Sequence, residues 1–173
     1  MSDRFLSYLE REHNRLEAAI DNLRSSRGSD DATIARLKKQ KLAVKDQIAK
    51  WMAKQAEKAG LPPELPVMAS LVESGVKNLN FGDADSVGFF QMRVGIWNKG
   101  DYAGFPEKPE LQAKWFIDQA LAVKKQAIAS GDVDFGKDPA KFGEWIANVE
   151  RPAEQFRGRY QLRLGEARKL LSS

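Results

Sequence analysis

With no cysteine and a single histidine in 173 residues, any chemistry this chain performs must rest on carboxylates. A disulfide scaffold and thiolate metal sites are excluded, and a Ser-His-Asp triad or histidine-rich zinc site is disfavoured. The carboxylate in the most informative setting is Glu73. It follows Ala69 by four positions in an apolar run of Leu65, Met68, Ala69 and Val72, so it lies on the flank of that face close to where Gly75 ends the helix. Desolvation and the negative end of the helix dipole both favour its protonated form. A carboxylic acid that keeps its proton near neutral pH is what glycosidic cleavage requires, because the leaving oxygen must be protonated as the bond breaks. By itself, a Glu at a helix edge is most often an ordinary solvated residue.

The residues downstream change that weighting. A polar, turn-rich stretch runs from Asn78 to Gly88, and the chain then returns to apolar character in Gly88-Phe89-Phe90-Gln91-Met92, with Gln91 eighteen positions beyond Glu73 and Trp97 following. Through Glu73-Ser74, this spacing and Gly88-Phe89-Phe90-Gln91, the region from about residue 62 to 171 resembles the soluble lytic transglycosylases of the lysozyme-like superfamily. The resemblance implies a mainly helical lysozyme-like domain. It also implies that Glu73 protonates the oxygen bridging N-acetylmuramic acid and N-acetylglucosamine, then takes the proton of the muramic C6 hydroxyl as a 1,6-anhydro ring closes. Ser74 matches the adjacent serine, and Gln91 the glutamine that contacts sugar or organises the acid. Phe90 and Asn148 are further candidates for the substrate side, although at least one of Phe89 and Phe90 is better read as a core aromatic.

The chain departs from that family at one informative place. Some seventy residues beyond the acid the family carries a Tyr-Asn-Ala-Gly motif whose tyrosine reaches toward the acid, whereas here the sequence reads Trp145-Ile146-Ala147-Asn148. Asn148 fits and Ala147 does not, so the hydroxyl must come from elsewhere, with Tyr160 and Tyr102 as candidates, or the site is slower or altered. Glu150-Arg151 is a further charged pair, for which an ordinary surface salt bridge is the plainer reading. Asp83 and Asp85 lie where a goose-type lysozyme has its second carboxylate, which would hold a water for direct hydrolysis. Loop aspartates more often bond their own backbone in turns. The alternatives to a transglycosylase are therefore a hydrolytic muramidase and a non-catalytic wall-binding protein that keeps the fold.

The elements that must position these groups are helical throughout, and the expected class is all-α. Pro66 can open the helix that carries Glu73. A long amphipathic helix is predicted from Pro109 to Ser130, with Leu111, Trp115, Phe116, Gln119, Leu121 and Val123 as its apolar side and Gly131 as its stop. Pro139 can open another containing Phe142, Trp145 and Ile146, after a loop at Phe135–Pro139, and Pro152 a last one reaching about Leu171. Trp97, Trp115 and Trp145 are expected in the core, unless one is exposed in a cleft to stack on a sugar ring.

Residues 1–59 read as a separate module. Leu6, Leu9, Leu16, Ile20 and Leu23 form a seam in which His13 takes the missing step, and after Ser25–Asp31 the pattern resumes at Ile34, Leu37, Val44, Ile48 and Trp51 with Lys41 in the polar step. An antiparallel hairpin that pairs positions whose numbers add to 57 closes the whole seam, with Asp30 or Asp31 as cap of the second helix. His13 is expected to fix register. The segment looks like the short helical-hairpin proteins of unknown function found in many bacteria, which suggests an oligomerisation or docking role in a homo-oligomer or larger particle. Gly60-Leu61-Pro62-Pro63 marks the boundary to a second domain over 60–173.

A net charge of +4, mixed along the chain, favours an anionic polymer as partner. Peptidoglycan glycan strands are the expected substrate, with no nucleic acid, metal, cofactor or membrane span. The first residues lack a secretory signal. The expectation is synthesis in the cytoplasm and action at the bacterial cell wall, reached aboard a phage-like or injection particle or through a lysis pore.

Overall fold

The structure, a computed structural model, describes residues 3–26, 28 and 30–173. Arg27 and Ser29, in the predicted break between the first two helices, lie outside the described residues, as do Met1 and Ser2. The class is all-α. The chain divides into two compact units, Met1–Trp51 and Met52–Ser173.

The first unit holds α1 (Asp3–Ser25) and most of α2 (Asp31–Lys58). Leu6, Leu9, His13, Leu16 and Ile20 are buried at alternating steps of three and four, the spacing that keeps one face of a helix turned inward. His13 thus occupies a seam position. Towards the connection, Leu23, Ile34, Leu37 and Val44 are only half-buried. Lys41 Nζ lies 3.0 Å from Glu17 Oε1, which fixes an antiparallel register close to the expected one and directs the lysine's charge toward solvent. Asp30 caps α2, accepting from the Ala32 amide at 3.0 Å and from the Thr33 hydroxyl at 2.5 Å.

In the second unit, α2 runs on to Lys58, and the Pro62-Pro63 corner leads into α3 (Glu64–Glu73). The helix begins before Pro66, because that residue occupies its first turn, where the missing amide costs nothing. Every residue from Leu65 to Leu71 is buried, so α3 is a central helix and not the one-sided stripe its periodicity suggests. It packs against α5 (Pro109–Ala129), α6 (Phe142–Glu150) and α7 (Leu164–Ser172). Between α3 and α5 lie a two-stranded antiparallel ladder, β1 (Ser86–Val87) with β2 (Met92–Arg93), and the short α4 (Val94–Trp97).

The core side of α5 is Pro109, Gln112, Ala113, Trp115, Phe116 and Ala120, while Leu121 is exposed. The prediction placed Leu121 inside, whereas the buried face runs through Pro109, Gln112, Ala113, Phe116 and Ala120, one position away from it. Trp115 and Trp145 are buried, and Trp97 is half-buried against Trp115, 5.4 Å between ring centres. Burying a large side chain of this kind contributes about 1.5–3 kcal/mol. The single helix expected after Pro152 is instead two 3-10 turns, Glu154–Arg159 and Gln161–Arg163, followed by α7. Gly158 falls inside that stretch, and Tyr160 sits at the junction of the two turns.

Candidate active site

Glu73 is the last residue of α3, and it is partly buried. Tyr160 approaches from the junction of the two 3-10 turns, fully buried, and its hydroxyl donates to Glu73 Oε1 at 2.5 Å. Burial pushes the Glu73 carboxyl above its ordinary range, opposed by the hydrogen bond from Tyr160 and by the positive charge of Arg159. The same burial, reinforced by the carboxylate beside it, pushes the Tyr160 phenol up, so Tyr160 stays a donor. Tyr102, the other candidate, is committed elsewhere. It donates to Asp118 Oδ2 at 2.7 Å, and its phenol is pushed up to about 12 by burial first and then by that aspartate.

A second carboxyl stands behind the first. Glu150 closes α6, and its Oε1 is sealed from solvent with no hydrogen-bond partner. Among the described residues it forms no salt bridge with Arg151, which is exposed and has a left-handed backbone, φ 52°. Burial holds Glu150 well above the usual carboxylate range, and the neighbouring Glu73 charge pushes it further the same way. An ionised carboxylate without a partner there is costly, so of the two carboxyls Glu150 is the one held further toward its protonated form.

Ser74 joins the acid's helix to the glutamine loop. Its hydroxyl donates to the Phe89 carbonyl at 2.8 Å and accepts the Lys77 amide at 3.2 Å. Glu73 and the Gly88–Gln91 segment are therefore linked through one buried hydroxyl. Gln91, however, spends its amide on the loop: Nε2 donates to the carbonyls of Gly88 at 3.1 Å and Phe81 at 3.3 Å. Its side chain braces the polar stretch and does not bond to Glu73.

Phe90, expected on the substrate side, is fully buried and stacks on Phe116 with ring centres 4.9 Å apart, so a sugar cannot reach it. Phe89 is buried as well. Asn148 is exposed, and its Oδ1 accepts from the Arg157 guanidinium at 2.6 Å. Asp85 is not a free second carboxylate. It pairs with Arg93 and accepts the Gly95 amide at 2.6 Å, which holds it below the usual carboxylate range and ties the loop to the start of α4. Asp83 is exposed, and its backbone carbonyl accepts the Ser86 amide at 3.0 Å in a turn.

Three residues that matter here carried little weight in the sequence. Gln112 is wholly buried; its Oε1 accepts the Phe89 amide at 2.9 Å, and its Nε2 donates to the Phe105 carbonyl at 3.0 Å and to Asn78 Oδ1 at 3.1 Å. It also explains Gly88, which has φ +91° and where a Cβ would stand 2.4 Å from Gln112 Oε1. The signal was present in the spacing, since position 112 falls on the inward face with 109, 113, 116 and 120. Glu150 was noted in the sequence as half of a charged pair with Arg151, but its place beside Glu73, like that of Arg159, comes only from the fold.

Backbone strain gathers at the same place. Val76, Gln91 and Arg151 adopt left-handed conformations just beyond Ser74, at the end of the glutamine loop and just after Glu150. Each costs on the order of 1–3 kcal/mol unless the surroundings impose it, and such outliers concentrate at functional sites. Among the described residues there is no group of side chains suited to hold a metal ion, and no helix is long and apolar enough to cross a membrane.

The family model of a protein of unknown function (DUF465) matches residues 6–52, which comprise the hairpin seam and none of the candidate active site. No curated protein and no solved structure matches the chain. What the second unit does must therefore be argued from its site.

Proposed function

We propose that the second unit is a lytic transglycosylase-like enzyme that cleaves the β-1,4 bond between N-acetylmuramic acid and N-acetylglucosamine in peptidoglycan strands. Glu73 acts first as general acid on the bridging oxygen and then as base toward the C6 hydroxyl. The observation that carries this reading is the Tyr160 hydroxyl on the Glu73 carboxyl, 2.5 Å away. A tyrosine reaching the acid is what the resemblance calls for, and here it comes from position 160 in place of Ala147. Partial burial at a helix end supports the acid's protonated form before reaction, and the phenol donor stabilises the carboxylate after it has released its proton. A hydrolytic outcome is less well supported, because Asp85 is engaged by Arg93 and Gly95 and Glu150 is largely buried.

For the hairpin we propose a docking role that carries the enzyme to the wall within a larger particle. Phe5, Tyr8 and Leu42 leave apolar surface exposed on it, and Phe5 and Tyr8 stack on each other.

The test is digestion of purified peptidoglycan, with mass spectrometry of the fragments. Anhydro-muramic ends are expected from the native protein, and a loss of about 100-fold or more from Glu73→Gln, since general acid catalysis is worth about 10²–10⁴. Reducing ends would convert the assignment to a muramidase. Full activity in Glu73→Gln would remove Glu73 from the chemistry.

A further inference from the structure

Glu150 is a buried titratable group that the reaction assigned to Glu73 leaves unused. It closes α6 as Glu73 closes α3, and the two helices pack on one another, so two carboxyls meet at two helix C-termini. The negative ends of both helix dipoles favour the acid form over the carboxylate. α6 is also held firmly: the Trp145 indole donates to the Ala120 carbonyl of α5 at 3.0 Å, and the Gly143 amide donates to Gln161 Oε1 at 2.6 Å. Glu150 Oε1 is thus kept in a buried position with no hydrogen-bond partner. A carboxyl in that condition costs stability, and buried titratable groups of this kind gather at functional sites.

The charges around the pair set how many protons it keeps. Glu73 faces Glu150 from α3 and Tyr160 from the 3-10 corner, while α5 meets α6 through uncharged groups at Trp145 and Ala120. Arg159 acts on both Glu73 and Tyr160. The other arginines nearby are engaged or turned to solvent. Arg157 serves the Ala147 carbonyl, Asn148 Oδ1 and Glu154, Arg163 pairs with Glu166, and Arg151 is exposed. One cation balances one carboxylate, so ionising both carboxyls in this setting is resisted where ionising one is not.

We propose that Glu150 is a positioning residue for Glu73: the two carboxyls hold one proton between them, and this keeps Glu73 supplied with the proton it delivers. The inference rests on the glycan-cleaving reading of Glu73. In the cleavage step the O–H bond of Glu73 breaks as its proton passes to the bridging oxygen, which leaves the muramic C1 with the bonding electron pair. The C6 hydroxyl then closes on C1, and its proton returns to Glu73. The pair starts and ends each turnover with one proton, and nothing is consumed at Glu150.

Two measurements on the full chain test this. In carbon NMR of protein labelled at the glutamate δ-carbons, the resonance lost in Glu150→Gln identifies Glu150. Its titration midpoint should lie above the ordinary carboxylate range and move to lower pH by about one unit or more in Glu73→Gln, as for interacting acids. A Glu150 that titrates normally, or with the same midpoint in Glu73→Gln, overturns the proposal. The second measurement is the pH–rate profile of peptidoglycan cleavage. Because an amide holds no proton, the ratio of the Glu150→Gln rate to the native rate should fall by about tenfold or more from about pH 5 to about pH 8. A purely structural role lowers that ratio equally at every pH, and a constant ratio overturns the proposal. Coupled titration in a protein that cleaves no peptidoglycan at any pH would keep the shared proton and remove the transglycosylase reading. Cleavage with uncoupled titration would do the reverse.

Discussion

The largely buried carboxyl of Glu150 makes a stability prediction that does not depend on any catalytic assignment. Its folded-state acid strength is weakened by burial and by the adjacent Glu73, relative to an ordinary value near 4.5 in the unfolded chain. A carboxyl raised in this way contributes nothing unfavourable at acid pH, where both states hold the proton. As pH rises above the unfolded value, the unfolded chain releases its proton and the folded one keeps it, so stability falls by about 1.4 kcal/mol per pH unit until Glu150 itself ionises. Glu150→Gln mimics the protonated form and removes this slope. Relative to the native protein it should gain stability steadily from about pH 5 upward, by no more than about 3 kcal/mol at pH 7. That is consistent with the roughly 1–3 kcal/mol cost of one unsatisfied buried polar group. Each kcal/mol corresponds to about 2–4 °C in melting temperature for a chain of this size. Urea denaturation of both proteins at several pH values between about 5 and 8 measures the difference directly, through midpoints at constant slope. Parallel curves, with the variant offset by the same amount at every pH, would show that Glu150 titrates normally and would refute the neutral buried carboxyl.

Two further substitutions test the remaining supports of the site. Tyr160→Phe should lower cleavage about 10–100-fold, and because the lost hydrogen bond opposes the upward shift of Glu73, the alkaline limb of the pH–rate profile should move to higher pH; an unchanged limb counts against the contact. Gly88→Ala should destabilise by more than about 1 kcal/mol in thermal or chemical melts, since it combines a left-handed φ with a clash on Gln112, and pairing it with Gln112→Ala should recover the part due to the clash.

How far the sequence reached depended on whether local pattern or tertiary placement decided the outcome. The buried half of the hairpin seam was legible, because three–four spacing and the Asp30 cap are local properties, whereas Leu23, Ile34, Leu37 and Val44 are only half-buried. The long helix from Pro109 was legible for the same reason, with its proline start and Gly131 stop. Its inward face was misjudged at Leu121, which is exposed, and at Gln112, which is buried and bonded on both its oxygen and its nitrogen. Glu73 and Tyr160 were both named from sequence, but their meeting across 87 positions has no local signature and came from the departure at Ala147. Phe90 was misread as to role, because a motif states which residues neighbour one another in the chain and not which way each side chain turns. The break of the last helix into 3-10 turns was missed as well, and it is this break that delivers Tyr160 inward and Arg159 and Leu162 outward.

That geometry bears on why Ala147 is tolerable where a tyrosine would be expected. Ala147 is wholly buried in α6, and its carbonyl accepts from Arg157 at 3.4 Å, so α6 and the first 3-10 turn are held together at that point. A hydroxyl supplied by the turn reaches Glu73 from a segment tied to α6 in this way and to α6 again through Gln161, whose Oε1 accepts the Gly143 amide at 2.6 Å. Gly143 has no room for a side chain there, since a Cβ would meet the Gln161 backbone nitrogen at 2.7 Å. Two anchors, one on each side of Tyr160, fix the phenol against the acid as firmly as a helical position would. The requirement that the proposed reaction would place on the fold is a donor at the carboxyl, and a 3-10 corner pinned at both ends supplies one.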